Sequence, residues 1–254
     1  MHRVLLVDRL AEDLLLVRLD RPERLNALSR PLIEQVTSTI ERAATDADVR
    51  GVVLAGTGRS FCAGVDLHEF ATASTETATE LIRALARLCR TVRRLPKPVA
   101  CAIHGHCLGG ALELAACCDV RVCAPDAQLG MPEVWLGIPS VIDAVMLQHI
   151  VGVGRARELL LTGDAISGQT AHAWGLANRL APADECVAAA AELIQRATRH
   201  APGILAEQKR LHQQWLELPY ERAVETSIAS LVAAFGDGTP QRLAAERLQR
   251  RNAT

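Results

Sequence analysis

Two glutamates and two glycine-rich turns are the parts of this chain best suited to chemistry. In HGHCLGGALELAACCD, His104 to Asp119, the Gly109-Gly110 pair separates an apolar run, Val99 to Ile103, from a helix-like run, Ala111 to Cys118. The backbone should turn there from strand into helix. A helix start preceded by glycine exposes N–H groups that a ligand can approach closely, and its dipole favours negative charge. Glu113 comes three residues past Gly110, so an acid stands in the first turn of a helix otherwise built from Ala, Leu and Cys. An anion site and a carboxyl group therefore lie about one turn apart. A second such backbone is GTGRSFCAGVDL, where Ala63-Gly64 must bend tightly before a short helix beginning near Asp66. In MPEVWLGIPS, Glu133 sits between Pro132 and Val134 just after a short strand. Ligands of α/β sheets commonly sit at strand ends. Taken singly, each feature also has an ordinary reading as a tight turn, a dipole-favoured surface acid or an exposed turn residue. His104 and His106 invite a role as bases but are read as loop packing.

The elements that must position these groups alternate between strand and helix. Arg3 to Val7 and Leu14 to Leu19 read as an antiparallel start joined through polar Asp8 to Asp13. DRPERLNALS is a loop ending at Ser29, a plausible N-cap, with Pro31 in the first turn of a helix to about Ala47. Arg50 to Ala55 is a strand. Ser74 to Arg94 is a long helix with Leu81, Leu85, Leu88 and Val92 on one core stripe. Val99 to Ile103, Val120 to Cys123 and Gln128 to Gly130 are strands. From Ser140 onward the chain turns helical, beginning with Val141 to Ile150. In the helix from Pro219 to Phe235, Val224, Ile228, Leu231 and Phe235 form a stripe suited to capping a site or meeting another subunit. The expected organisation is a core domain over residues 1–199 and a helical region over 200–254.

Bulk properties exclude several classes. A length of 254 residues, 49% hydrophobic and 22% charged, supports a globular core. Net charge is -1, so nothing draws the chain as a whole to nucleic acid or anionic lipid. Arg83, Arg87, Arg90, Arg93 and Arg94 crowd one helix, but such runs usually mark solvated faces. The first residues carry charges every few positions, and no apolar run reaches 18 residues, so neither a secretory signal nor a membrane span is expected. The eight cysteines include no C-x-x-C pair and mostly lie in apolar runs, which predicts reduced core thiols, no metal site and a cytoplasmic location.

Taken in order, RPERLNAL, GRSFCAGVDL, HGHCLGGALELAACCD, MPEVWLGIP and LLLTGDAISGQTAHAWGLANRL resemble the enoyl-CoA hydratase/isomerase, or crotonase, superfamily across nearly the whole chain. The resemblance implies an α/β crotonase (ClpP-like) fold, a spiral of ββα units followed by an α-helical C-terminal trimerisation region. It implies an acyl-CoA thioester as substrate, no separate cofactor, and trimers or pairs of trimers. The matching oxyanion-hole amides are Val65 and Gly110. The family's hydratases carry two glutamates, matched here by Glu113 and Glu133. Two carboxyl groups around one water can take its proton and protonate the alpha carbon, with Glu113 expected mainly to activate water and Glu133 to deliver the proton. For CoA, the resemblance points to Arg24, Leu25, Ala63, Asp66 and Leu67.

These implications favour a 2-enoyl-CoA hydratase. The chain departs from the family at GIPSVID, where many hydratases have a glycine-rich loop, and at Glu246, where relatives often place Phe. Some isomerases of the family place another acid near GIPSVID, and Asp143 is the nearest candidate, although a helix-start Asp explains it as well. The alternatives are therefore an enoyl-CoA isomerase, a hydratase for an unusual acyl group and, from another class, an RNA-binding relative.

Overall fold

The computed structural model describes residues 4–252. The chain divides into two compact units, one ending at Pro202 and the other beginning at Gly203. In the first, the strands are β1 (Leu5–Ala11), β2 (Leu14–Leu19), β3 (Gly51–Gly56), β4 (Val99–Ile103), β5 (His106–Leu108), β6 (Val120–Cys123), β7 (Gln128–Gly130), β8 (Ile166–Ser167) and β9 (Arg179–Leu180). Its helices are α1 (Arg30–Thr45), α2 (Leu67–Ala71), α3 (Thr75–Arg94), α4 (Gly110–Ala116), α5 (Val145–Val151), α6 (Val153–Thr162), α7 (Gly168–Ala173) and α8 (Cys186–Thr198). The second unit contains α9 (Pro202–Glu217), α10 (Tyr220–Ala234) and α11 (Thr239–Asn252).

Six strands form one sheet in the order β1-β2-β3-β4-β6-β9, and β5-β7-β8 form a second. Apart from β1, the large sheet is parallel. Parallel sheets are covered on both faces, which explains why β4 is an unbroken apolar run buried at every residue. Because β2, β3 and β4 run the same way, the loops leaving their C-terminal ends emerge along one edge. Those loops are RPERLNALS, GTGRSFCAGVDL and HGHCLGG. β5 and β7 are also parallel, so Gly109 and Glu133 both follow strand ends on one side of the small sheet. Topology alone thus gathers the candidate groups.

Several boundaries differ from the sequence expectation. β1 continues through the polar segment to Ala11, because an exposed edge strand accommodates charges such as Asp8, which meets Arg18 of β2 at 2.9 Å; Arg3 lies outside the described residues. β4 does not lead directly into the Gly pair. The chain crosses at Gly105 (φ +57), where a Cβ would come within 2.0 Å of the Arg59 carbonyl oxygen, and enters β5 in the second sheet. The helix expected from Val141 begins only at Val145, after a 3-10 turn over Ile142–Ala144. Ile142 there has φ +52, a conformation that breaks the helix and strains a β-branched residue by about 1–3 kcal/mol. Asp143 consequently is not a helix-start cap. It is buried and paired with Arg93.

Helix α4 is held at both ends. Every one of its residues is buried, which its Ala-rich sequence permits by allowing close approach. At its C-terminus the buried Arg121 guanidinium donates to the carbonyls of Ala115 and Cys118, satisfying acceptors that a helix end otherwise orphans.

Candidate active site

The two glycine-rich loops run side by side. The Cys62 N–H donates to the His106 carbonyl at 2.9 Å, and the Leu108 N–H donates back to the Cys62 carbonyl at 3.2 Å. A Cβ at Gly64 (φ +97) would sit 2.7 Å from the Leu108 oxygen, so only glycine allows this approach. Leu28 donates to the Gly64 carbonyl at 2.7 Å and accepts from the Asp66 N–H at 3.2 Å. In this parallel bridge Leu28 uses the residues flanking Val65, so the Val65 N–H points the other way. The Gly110 N–H opens α4, where the first amides have no partner within the helix. The two amides lie on adjacent loops, each turned away from the partners its neighbours use.

Both acids stand beside these donors. Glu113 is only 3% exposed. Its Oε1 accepts from the Ala144 N–H at 3.2 Å. Burial, reinforced by the charges of Glu133 and Asp143 and opposed by that N–H, pushes its carboxyl up to about 8. The Glu133 carboxylate lies against the Gly109 backbone, where a Cβ would approach its Oε1 to 2.4 Å. Ser140 donates to Glu133 Oε2 at 3.0 Å. At neutral pH Glu113 therefore holds its proton in the ligand-free protein.

The five expected CoA residues lie on two loops joined by backbone hydrogen bonds, Leu25 to Ala63 and Leu28 to Asp66. Leu25 adopts the left-handed conformation after the turn Pro22–Arg24, and its carbonyl accepts from the Ala63 N–H at 3.0 Å. Exposed Arg24 contacts His68, and Leu67 is 54% exposed. The Asp66 side chain, in contrast, is already occupied: it caps α2 by accepting from the His68 N–H at 3.0 Å and pairs with Arg21 at 2.8 Å. His104 bonds to the Gly58 carbonyl and His106 to Ser60, as expected of loop-packing residues.

Ser140, the Ala144 N–H and the Arg93–Asp143 pair were not anticipated from the sequence. For Arg93 a signal did exist: it falls four residues after Cys89, on the buried side of α3, while Arg83, Arg87, Arg90 and Arg94 are exposed. Cys89, Cys117 and Asp143 also come close enough to suggest cation ligands. Yet Asp143 already has Arg93 as its counter-charge, and hydrogen bonding to Cys89 together with burial holds the Cys117 thiol protonated. The cluster is an ion pair beside two buried cysteines. All eight cysteines are buried and unpaired, and burial pushes Cys62 up to about 12, which removes it as a nucleophile.

A sequence model of the enoyl-CoA hydratase/isomerase family matches residues 9–238. The chain belongs to that family. Among relatives of this enoyl-CoA hydratase/isomerase family member, a probable enoyl-CoA hydratase of Bacillus subtilis is 36% identical over 229 residues, covering 88% of this chain and 86% of the relative. A 2,3-dehydroadipyl-CoA hydratase of Escherichia coli is 34% identical over 226 residues, covering 88% of each. Among solved structures, enoyl-CoA hydratases of Bacillus anthracis and Mycobacterium smegmatis superpose with TM-scores of 0.91 and 0.92, each 28% identical and covering 98% of this chain and 97% of the other. The fold is therefore the crotonase fold, α/β with a helical C-terminal part. No helix among the described residues is long and apolar enough to cross a membrane.

Proposed function

We propose that this family member is a 2-enoyl-CoA hydratase, adding water across the 2,3 double bond of an acyl-CoA thioester. The observation that carries this reading is the pair of carboxyl groups, Glu113 and Glu133, beside the Gly109-Gly110 turn, with burial raising the first to about 8. The thioester oxygen is received by the Val65 and Gly110 amides. As water attacks C3, electrons move onto that oxygen, and each preorganised donor contributes about 3 kcal/mol to stabilising it. One carboxylate takes the water proton while the other carboxyl group protonates C2, so the pair ends with the single proton it began with. Arg24, Leu25, Ala63 and Leu67 receive CoA, with the Asp66 side chain between them held by Arg21. The chemistry closes without a separate cofactor. The test is a panel of 2-enoyl-CoA and 3-enoyl-CoA thioesters, with products resolved by mass spectrometry. Hydration of crotonyl-CoA supports this reading, and product restricted to double-bond migration refutes it.

A dedicated enoyl-CoA isomerase is the second reading, favoured by Asp143 acting on the charge of Glu113. The Arg93 contact opposes it, since it already occupies the buried Asp143 carboxylate. We further assign the protein to the cytoplasm and to fatty acid metabolism, and to a homotrimer or dimer of trimers. Eight unpaired thiols support a reducing compartment. The α10 stripe, with Ile228, Leu231 and Phe235 exposed, supports assembly, and small acyl-CoA substrates with no nucleic-acid partner agree with the net charge of -1.

A further inference from the structure

We propose that Arg93, though it touches neither acid of the pair, is a positioning residue: through Asp143 it holds the Ile142–Ala144 turn so that the Ala144 N–H stays aimed at Glu113. The inference rests on Glu113 being functional. Asp143 is the middle residue of that turn, between left-handed Ile142 and Ala144, the donor to Glu113 Oε1 at 3.2 Å. Nothing intrinsic to the Val141-Ile142-Asp143 sequence favours this backbone. A β-branched residue at positive φ persists only where surrounding contacts over-determine it. Inside the turn the Ala144 N–H also donates to the Val141 carbonyl at 3.0 Å; the polar contact reaching it from α3 is the ion pair between Arg93 Nη1 and Asp143 Oδ1, which bridges 50 residues and leaves the two side chains only 20% and 7% exposed. Little solvent is present to screen it.

The arrangement also governs charge. Among the described residues, the groups acting on Glu113 are Glu133, Asp143 and the Ala144 N–H; those around Asp143 are Arg93 and the thiols of Cys89 and Cys117. Among these groups Arg93 is the cation that offsets Asp143. Loss of Arg93 removes the restraint on the Ala144 donor and leaves Asp143 uncompensated, and both changes disfavour the Glu113 carboxylate.

The direct test needs no substrate. Carbon-13 carboxyl NMR follows the titration of Glu113, assigned by its loss in Glu113→Gln, in wild type, Arg93→Met, Arg93→Lys and the exposed-site control Arg83→Gln. Arg93→Met should move the Glu113 midpoint up by about one pH unit. Arg93→Lys, which keeps the cation, and Arg83→Gln should leave it near the wild-type value. Arg93→Gln serves in place of Arg93→Met if the latter does not fold. A Glu113 midpoint unmoved by loss of the Arg93 charge overturns the proposal, whether or not the protein hydrates crotonyl-CoA. Failure of hydration with the midpoint shifted as expected would count against the proposed reaction alone.

Discussion

The two acids are presented by regions of opposite character. Glu113 belongs to α4, a helix buried at every residue, started at a glycine turn and finished by Arg121. Glu133 belongs to the 3-10 turn Pro132–Leu136, which has no buried residue. The first carboxyl group is fixed by packing. The second depends on a few discrete contacts, chiefly the Gly109 backbone and the Ser140 hydroxyl. Burial makes the first hold its proton tightly, whereas the second stands in an unburied turn and accepts a hydrogen bond from Ser140. The fold thus places two chemically identical side chains in different environments.

The contrast can be broken in order of expected effect. Glu113→Gln removes the core-embedded acid and should lower kcat for crotonyl-CoA by about 10³-fold or more, and Glu133→Gln by about 10²–10³-fold, both read by steady-state kinetics. Gly109→Ala drives a methyl group into Glu133 Oε1 and opposes φ +54. Its cost should be about 10²-fold, as expected for a displacement near 1 Å, with the fold retained by circular dichroism. Glu113 loses its proton near 8. The form with Glu113 protonated therefore predominates below that pH, and kcat/KM should fall about tenfold per pH unit above it. A profile still rising above pH 9 would contradict a role for protonated Glu113. Ser140→Ala, acting on the less embedded acid, should cost only about threefold to tenfold.

The same comparison has a stability counterpart. The folded protein binds a proton at Glu113 up to about 8, whereas the ordinary carboxyl value is 4.5. Between those values the native state holds more protons than the unfolded chain, so stability falls as pH rises through this window. Glu113→Gln should therefore be more stable than wild type at pH 9, by about 1–3 kcal/mol, with the advantage vanishing near pH 4 in thermal melts.

What could be read from the sequence follows the same division. The glycine turns, Glu113 and Glu133 were legible because strand, glycine, helix and acid occur at fixed local spacing, and five motifs in order carried the family resemblance. β4 was legible as an unbroken apolar run, but β8 and β9 contain two residues each and offer no periodicity. The 3-10 turn at Ile142 was read as helix because its residues are apolar and nothing local announces positive φ; a contact from Arg93, 50 residues distant, accompanies it. Asp66 was expected to face CoA, whereas its side chain pairs with Arg21, 45 residues away. Local chemistry was visible, and the long-range ion pairs that aim it were not.

The central claim is that the two carboxyl groups add a solvent oxygen to C3 of a 2-enoyl thioester. Incubation with crotonyl-CoA in oxygen-18 water, followed by mass spectrometry, tests it most directly. The wild type should yield 3-hydroxybutyryl-CoA carrying one heavy oxygen, and Glu113→Gln should yield almost none over the same interval. Recovery of unchanged or merely isomerised thioester from the wild type, or equal labelling by the variant, would contradict the account.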